Sequence, residues 1–257
     1  MKVRILGASG GIGVGRYTTS ILVDDDFLID GGDGVGTLTL ERIAGIRKLF
    51  VTHSHLDHVC HIPLLIDGLF EQLSARGDSL VVYGQPETLQ AIKDHIFNNV
   101  IWPDFSQLPT AEHPVLSYEE MLPGDVVEFG GRSVEMIEVN HIVPAVAYLV
   151  SSGSSHFAFS GDTGKTEAFW QRLNELDSLG LLVVETAYPN EMAELAALAR
   201  HYCPTTLAAD LAQLKHDPDI YITHLKPGVE QEVCIQLEAL APERRIHRLY
   251  GGELFEI

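Results

Sequence analysis

The sequence predicts a mixed α/β fold in a chain long enough for one large domain or two small ones. β-Branched and apolar stretches typical of strands alternate with segments that carry the apolar spacing of helices. The composition is that of an ordinary globular protein, with 46% hydrophobic and 21% charged residues among 257. Several predicted strands end in histidine, aspartate or glutamate. We therefore expect these side chains to meet in one crevice at the strand ends.

The chain opens with short strands and tight turns. We predict strands at 3–6, 16–23 and 27–30, with a glycine loop at 7–13 after the first of them. A dinucleotide site at this loop is disfavoured, because the dinucleotide fingerprint needs a helix opening at its third glycine, whereas a β-branched strand follows here. The loop is interpreted as a tight turn that also has room to approach a substrate closely.

The remaining elements alternate. Helices are predicted at 38–43, 59–73, 86–97, 167–176, 191–200, 205–214 and 228–240. Strands are predicted at 48–51, 81–83, 125–129, 133–139, 145–151, 156–159, 181–184, 219–224 and 246–250. Residues 98–123 are rich in proline and predict an irregular loop, a type of segment that often serves as a lid.

The strongest signal is Thr-His-Ser-His-Leu-Asp-His at 52–58, directly after a buried strand. His53 and His55 are two residues apart and point the same way in extended backbone, whereas Asp57 and His58 are adjacent and diverge. This geometry favours two neighbouring metal ions. Imidazole with carboxylate is the ligand set that zinc prefers, and iron or manganese accept it when carboxylates are numerous. Without an ion, such a cluster would suffer desolvation and charge repulsion.

Four more side chains follow the ends of predicted strands. His141, Asp162, Glu185 and His224 each stand where a strand finishes. One such histidine alone is usually structural, but the repeated placement after the first motif indicates a shared site. Asp162, in Ser-Gly-Asp-Thr-Gly, has two interpretations: it caps a turn, or it bridges two cations with its two carboxylate oxygens.

Charge and cysteine content exclude several classes of protein. The formal net charge of −19 disfavours long RNA or DNA as a substrate, since nucleic-acid binding depends on lysine and arginine. Cys60, Cys203 and Cys234 are odd in number and widely spaced, which predicts a reducing compartment. No apolar run is long enough to span a membrane, and the N-terminus leads into a strand. We therefore expect a cytoplasmic protein with no membrane partner.

The order of these motifs resembles the metallo-β-lactamase superfamily across essentially the whole chain. Thr-His-Ser-His-Leu-Asp-His, Ile-Trp-Pro-Asp-Phe and Ser-Gly-Asp-Thr-Gly are most similar to the class II cyclic-nucleotide phosphodiesterases. The resemblance implies an αββα sandwich in a single domain, 1–257, with two divalent metal ions at one sheet edge. It further implies that His53, His55 and His141 hold the first ion, that Asp57, His58 and His224 hold the second, and that Asp162 bridges them.

A second resemblance concerns Glu185-Thr-Ala-Tyr and the segment that begins with His201. Both are similar to motifs of the phosphodiesterase branch that are shared with ribonuclease Z, in which the histidine acts on the leaving oxygen. The resemblance implies hydrolysis of a small phosphodiester, with His201 as proton donor and Glu185 as its partner. The expected substrate is a 3′,5′-cyclic nucleotide, and the expected product is a 5′-nucleotide.

Three alternatives stay open at this point. A glyoxalase II-like thioester or lactone hydrolase would use the same ions on a carbonyl and would not need Glu185 and His201. A ribonuclease Z-like nuclease would keep that pair but needs a basic arm for tRNA, which the sequence lacks. A metal-dependent binding or sensor protein would have a closed, cysteine-rich site instead. A homodimer is expected only from the frequency of symmetric dimers.

Overall fold

The computed structural model describes residues 1–257 and contains two seven-stranded sheets. The strands of the first sheet run in the order β16-β1-β2-β3-β4-β5-β8, and those of the second in the order β15-β14-β13-β12-β11-β10-β9. The strands are β1 Lys2–Gly7, β2 Ser20–Val23, β3 Phe27–Ile29, β4 Lys48–Phe50, β5 Leu80–Gly84, β6 Pro109–Thr110, β7 His113–Pro114, β8 Leu116–Glu120, β9 Val126–Phe129, β10 Arg132–Glu138, β11 Val146–Ser152, β12 Ser155–Phe159, β13 Leu181–Glu185, β14 Asp219–Thr223, β15 Ile246–Arg248 and β16 Leu254–Glu256.

Eight α-helices connect or cover the strands. Most of the longer ones join consecutive parallel strands, as crossover connections must. The helices are α1 Leu40–Ile43, α2 Leu56–Val59, α3 Ile62–Arg76, α4 Pro86–His95, α5 Ala168–Leu173, α6 Ala193–Ala199, α7 Pro204–Leu211 and α8 Glu230–Leu240, with short 3₁₀ turns at Asp33–Thr37, Phe105–Gln107 and Asn190–Met192.

Both sheets change from antiparallel to parallel pairing along their length. In the first sheet β1, β2 and β3 form antiparallel pairs, and β3, β4, β5 and β8 are parallel. In the second sheet β9 to β12 form antiparallel pairs, and β12 to β15 are parallel. Because the carboxyl ends of parallel strands share one edge, each sheet sends several loops to the same side of the molecule.

Three apolar clusters give the molecule four layers. Phe27, Phe50 and Tyr148 belong to the central cluster, in which side chains of the two sheets pack against each other. A second cluster joins the outer face of the first sheet to α3 and α4, and a third joins the outer face of the second sheet to α5, α7 and α8. The sheets are covered on both outer faces, so the predicted αββα sandwich is confirmed.

The helix after the metal motif differs from the predicted one. The expected helix at 59–73 is in fact two helices, because the chain turns at Cys60 and His61 between α2 and α3. Leu65 and Leu69 are buried as expected, but Leu64, which was also expected in the core, is 51% exposed because it lies on the solvent face of α3.

Two further differences concern strands. The predicted irregular loop at 98–123 needs correction, because residues 116–120 form β8 and pair with β5, and the short strands β6 and β7 pair with each other within it. β16 was not predicted, since three residues carry too little periodicity, yet it pairs with β1. No helix combines the length and the apolar character that crossing a membrane would require.

Candidate metal centre and catalytic pair

All nine predicted site residues meet at one edge of the sandwich. The motif at 52–58 follows β4, whereas the other side chains come from the second sheet and the segments beside it. His141 lies between β10 and β11, Asp162 follows β12, and His224 follows β14. Glu185 ends β13, and His201 lies between α6 and α7. The backbone N–H of Val146 donates to the carbonyl of Thr52 over 3.0 Å and joins the two sheets at this point.

Three groups of ligand-type atoms lie around Asp162, each with its atoms within 4.8 Å of one another. His53, His55, His141 and Asp162 form the first, and Asp57, His58 and His224 form the second. Asp162 and His224 also form a third group with His201. The first group is compact, because His55 Nδ1 and His141 Nε2 are 3.2 Å apart.

The carboxylate of Asp162 faces the first two groups. One oxygen, Oδ2, lies 3.7 Å from His53 Nε2 and 3.1 Å from His224 Nε2. The other, Oδ1, lies 3.4 Å from His58 Nε2. A carboxylate in this position can touch two cations at once, which an imidazole cannot do.

Hydrogen bonds behind the histidines fix which ring nitrogen faces the centre. His58 Nδ1 donates to Asp30 over 2.7 Å, and His141 Nδ1 donates to the carbonyl of Arg200 over 3.1 Å. The Oγ1 of Thr52 donates to Asp30 over 2.8 Å and accepts from His53 Nδ1 over 3.0 Å. Each of these rings thus turns Nε2 toward the centre, as partners behind metal ligands typically arrange.

Burial and charge make this a site for cations. Burial lowers the pKa of His53 well below its ordinary value and that of His141 to about 4, so that both rings are neutral. Burial acts to raise the pKa of Asp162, but His224 and His58 outweigh it and hold that pKa well below its usual range. Neutral imidazoles and ionised carboxylates are the forms that bind metal.

Orphaned atoms provide a further test of the fit. His53 Nε2 and His58 Nε2 are buried without a hydrogen-bond partner, although both point at Asp162. Burial lowers the pKa of His58, yet Asp162 and Asp30 outweigh it and raise that pKa well above its ordinary value, so these carboxylates attract positive charge. A divalent cation between these nitrogens and Asp162 would take the place of the ring proton on His58 and satisfy both nitrogens. The cluster fits divalent metal binding.

Glu185 and His201 form a pair beside this cluster. Nδ1 of His201 donates to Glu185 Oε1 over 2.6 Å, and the backbone N–H of Thr163 donates to the same oxygen over 2.9 Å. The ring of His201 stacks on that of His224, with the two centroids 5.1 Å apart. It also meets the ring of His141 edge to face, with a centroid distance of 5.0 Å. Burial lowers the pKa of His201, but Glu185 outweighs it and the net pKa is raised.

The sequence did not indicate three supporting residues. Asp30 is fully buried at the end of β3, accepts from Thr52 and His58, and adopts φ +58°. Arg200 holds His141 from both sides, because its carbonyl accepts from the ring and its guanidinium donates to the His141 carbonyl over 2.6 Å. The sequence did contain one signal for Asp30, since this aspartate ends a predicted strand directly before Gly31-Gly32. It contained no comparable signal for Arg200 or Thr52.

The glycine loop supports the last histidine. The N–H of His224 donates to the carbonyl of Ala8 over 2.8 Å, and the N–H of Gly10 donates to the carbonyl of Leu225 over 3.0 Å. A Cβ at Gly10 would lie 2.4 Å from the His224 carbonyl oxygen. Glycine at this position therefore allows the loop to lie directly on His224.

The fold is similar to those of several solved structures. The chain superposes on the metallo-β-lactamase fold protein YhfI from Bacillus subtilis with a TM-score of 0.75 at 17% identity, covering 99% of each chain. It superposes on unliganded yeast PDE1 with a TM-score of 0.80 at 18% identity, covering 98% of each. The protein therefore has a metallo-β-lactamase fold.

The sequence comparison identifies the family. The model of the class-II cAMP phosphodiesterases matches residues 38–235, and the chain belongs to this family. A probable 3′,5′-cyclic-nucleotide phosphodiesterase of Yersinia pestis is 27% identical over 72% of this chain, and the matched part is 59% of that protein. Ribonuclease Z of Pyrococcus abyssi is 34% identical over 45% of this chain and 36% of its own length. The chain thus spans little more than half of the first of these relatives.

Proposed function

We propose that this protein hydrolyses a 3′,5′-cyclic nucleotide to the 5′-nucleotide at a dinuclear metal centre. The observation that carries the proposal is the contact of 2.6 Å between His201 and Glu185, directly beside the cluster of ligand-type residues. The family match and the name of the Yersinia pestis relative support the same substrate class.

In this proposal the two groups of ligands hold one ion each. His53, His55 and His141 hold the first, Asp57, His58 and His224 hold the second, and Asp162 touches both. Histidine and carboxylate without cysteine suit zinc, with manganese and iron as the alternatives. When bound, two divalent ions would neutralise the charge of the phosphate and lower the pKa of the attacking water.

Glu185 and His201, which this proposal assigns to neither ion, would serve the leaving oxygen. Glu185 is fully buried and holds His201 Nδ1, so Nε2 is the atom from which a proton can leave. A 3′-alkoxide is a poor leaving group, and a positioned acid typically accelerates its departure by about 10²–10⁴-fold. We assign His201 as that acid and Glu185 as the residue that orients and charges it.

A ribonuclease Z-like activity is the second candidate, because one relative of that name is 34% identical over part of the chain. The net charge of −19 argues against it, since tRNA binding depends on phosphate neutralisation by basic side chains. Thioester hydrolysis has less support, because an acyl transfer to water with a thiolate leaving group does not require a proton donor such as His201.

One parallel assay separates these candidates. Metal-replete protein is tested against cyclic AMP, cyclic GMP, bis(p-nitrophenyl) phosphate, S-lactoylglutathione and a precursor tRNA, with an Asp162→Ala preparation as the control for contaminating hydrolases. We expect turnover of a cyclic nucleotide and of bis(p-nitrophenyl) phosphate, and none of the tRNA. Cleavage of the tRNA at physiological salt, or turnover of the thioester alone, would overturn the proposal.

The remaining expectations belong to the same proposal. A cytoplasmic location is supported by three cysteines that form no disulfide. The partner is a small phosphodiester, and a homodimer stays a prediction that light scattering would test.

A further inference from the structure

A cavity of about 650 Å³ lies beside the metal centre, and His141 is part of its wall. One side of the cavity is apolar and consists of the segment that follows this histidine, including Ile142, Val143 and Pro144. Ile142, which lines the cavity, is 54% exposed. A volume of this size is that of a small-molecule site, and an apolar wall is the usual lining of one.

Gln85 brings an unused polar group to this cavity. It follows β5, which lies parallel to β4 at the sheet edge where β4 delivers the metal motif. The Oε1 of Gln85 is buried and has no hydrogen-bond partner, and the side chain does not cap α4, although Gln85 is its N-cap residue. Buried amides are normally paired, so the carboxamide of Gln85 has hydrogen-bonding capacity that no protein group uses.

The charges around the cavity nearly cancel. Lys165 and Arg200 are opposed by Glu138 and Glu167, all four of which line it. A second phosphate or another strongly charged group would therefore gain little there, in contrast to the metal centre. The cavity suits a flat, neutral group with an apolar face, and the carboxamide offers that group both a donor and an acceptor.

We infer that this cavity is the subsite for the nucleobase and that Gln85 reads the edge of the base. The inference rests on the proposed function, which places the phosphate at the metal centre next to His141. Each nucleobase has an apolar face and an edge with hydrogen-bond donors and acceptors, and glutamine pairs with such edges through both its atoms. Gln85 is thus a specificity-determining residue and takes no part in bond breaking.

Calorimetric titration of metal-loaded protein tests the inference without turnover. The probes are AMP, GMP, CMP and ribose 5-phosphate, which lacks only the base. We expect the wild-type protein to bind at least one nucleotide about tenfold more tightly than ribose 5-phosphate, a ratio that corresponds to about 1.4 kcal/mol. Gln85→Leu should remove about this advantage and leave the affinity for ribose 5-phosphate unchanged.

Two further variants sharpen the result. Gln90→Leu changes the same residue type on the exposed face of α4, where Gln90 bonds only Asp94, and should behave as wild type. Gln85→Glu keeps the size but offers only acceptors, so it should change the relative affinities for AMP, GMP and CMP in favour of bases that present donors to it. Thermal unfolding of each variant verifies that the fold is kept.

The outcomes separate this inference from the proposed function. Equal binding of nucleotides and ribose 5-phosphate by the wild type would overturn the base subsite. So would a nucleotide preference that both Gln85 variants leave unchanged. A base preference that depends on Gln85, in a protein that does not hydrolyse cyclic nucleotides, would support the subsite and refute the proposed function.

Discussion

The metal centre is assembled from two kinds of sequence. His53, His55, Asp57 and His58 come from one continuous segment after β4, whereas His141, Asp162 and His224 come one at a time from the second sheet. The continuous segment is supported by Asp30 and is joined to the second sheet by the hydrogen bond from the N–H of Val146 to the carbonyl of Thr52. The separate residues depend on the alignment of β12, β13 and β14, in which Val183 pairs with both Phe159 and Tyr221.

The two halves of the site therefore differ in the contacts that hold their side chains in place. The continuous half brings four ligand-type side chains together within residues 53–58, so their proximity follows from the local chain. The half from the second sheet supplies Asp162 and the Glu185–His201 pair, to which the proposed function assigns contact with both ions and proton donation. Substitutions in the two halves should therefore have different consequences for metal content and for turnover.

Asp162→Ala should have the largest effect, because Asp162 is the one side chain placed against both ligand groups. We expect elemental analysis to find the metal content reduced from about two ions per chain to near zero. His141→Ala, which affects one group only, should keep about one ion. Equal metal retention in the two variants would argue against a bridging role.

His201→Ala should cripple the turnover of a cyclic nucleotide, by about 10²–10⁴-fold, and spare much of the rate on bis(p-nitrophenyl) phosphate. The reason is that p-nitrophenolate leaves readily without a proton, whereas a 3′-alkoxide does not. Steady-state kinetics on both substrates, with metal content measured in the same preparation, test this. An equal loss on both substrates with the metal retained would mean that His201 positions substrate or structure.

Glu185→Gln should show the same selectivity as His201→Ala, but more weakly. The amide can still accept from His201 Nδ1, which keeps the ring in place, but it no longer stabilises the charged ring. We expect a loss of about tenfold on the cyclic nucleotide and little change on bis(p-nitrophenyl) phosphate. A loss larger than that of His201→Ala would instead indicate damage to the fold, since Glu185 also accepts from Thr163.

Asp30→Asn tests the support of the continuous segment. Asparagine tolerates the left-handed backbone at this position, where φ is +58°, so the change is limited to charge and one acceptor oxygen. We expect metal affinity to fall by about 10–100-fold, as is typical of residues behind a ligand. The measurement is competition with a chelator. The control is Asp33→Asn, because the Asp33 carboxylate accepts from the backbone N–H of Thr18 and not from a ligand-type histidine. Unchanged affinity would assign Asp30 to folding alone.

The sequence predicted the continuous half of the site better than its surroundings. Histidine and carboxylate residues can be predicted as metal ligands when they cluster, as at 52–58, or recur at strand ends, because few structural roles need several ionisable side chains together. The supporting roles of Asp30, Thr52 and Arg200 were not predicted, because they depend on hydrogen-bond partners that are 22 to 59 residues away in the chain. Gln85 escaped for another reason: a polar residue between a strand and a proline is typical of an ordinary helix start.

The fold followed the same rule. Strands with regular alternation were predicted within a few residues, and the αββα arrangement came from the resemblance, not from periodicity. β8 and β16 were missed, as were β6 and β7, because β6, β7 and β8 lie within a proline-rich stretch and β16 is three residues long. Pairing with β5 and β1 creates these strands, and pairing partners are a tertiary property.

The metal content of the wild-type protein tests directly whether hydrolysis takes place at a dinuclear metal centre. Elemental analysis of purified, metal-replete protein, combined with a hydrolysis assay on bis(p-nitrophenyl) phosphate before and after chelation, gives both the number of ions and their necessity. We expect about two transition-metal ions per chain and loss of activity when they are removed. A content near zero in protein that still hydrolyses the substrate would contradict a dinuclear mechanism.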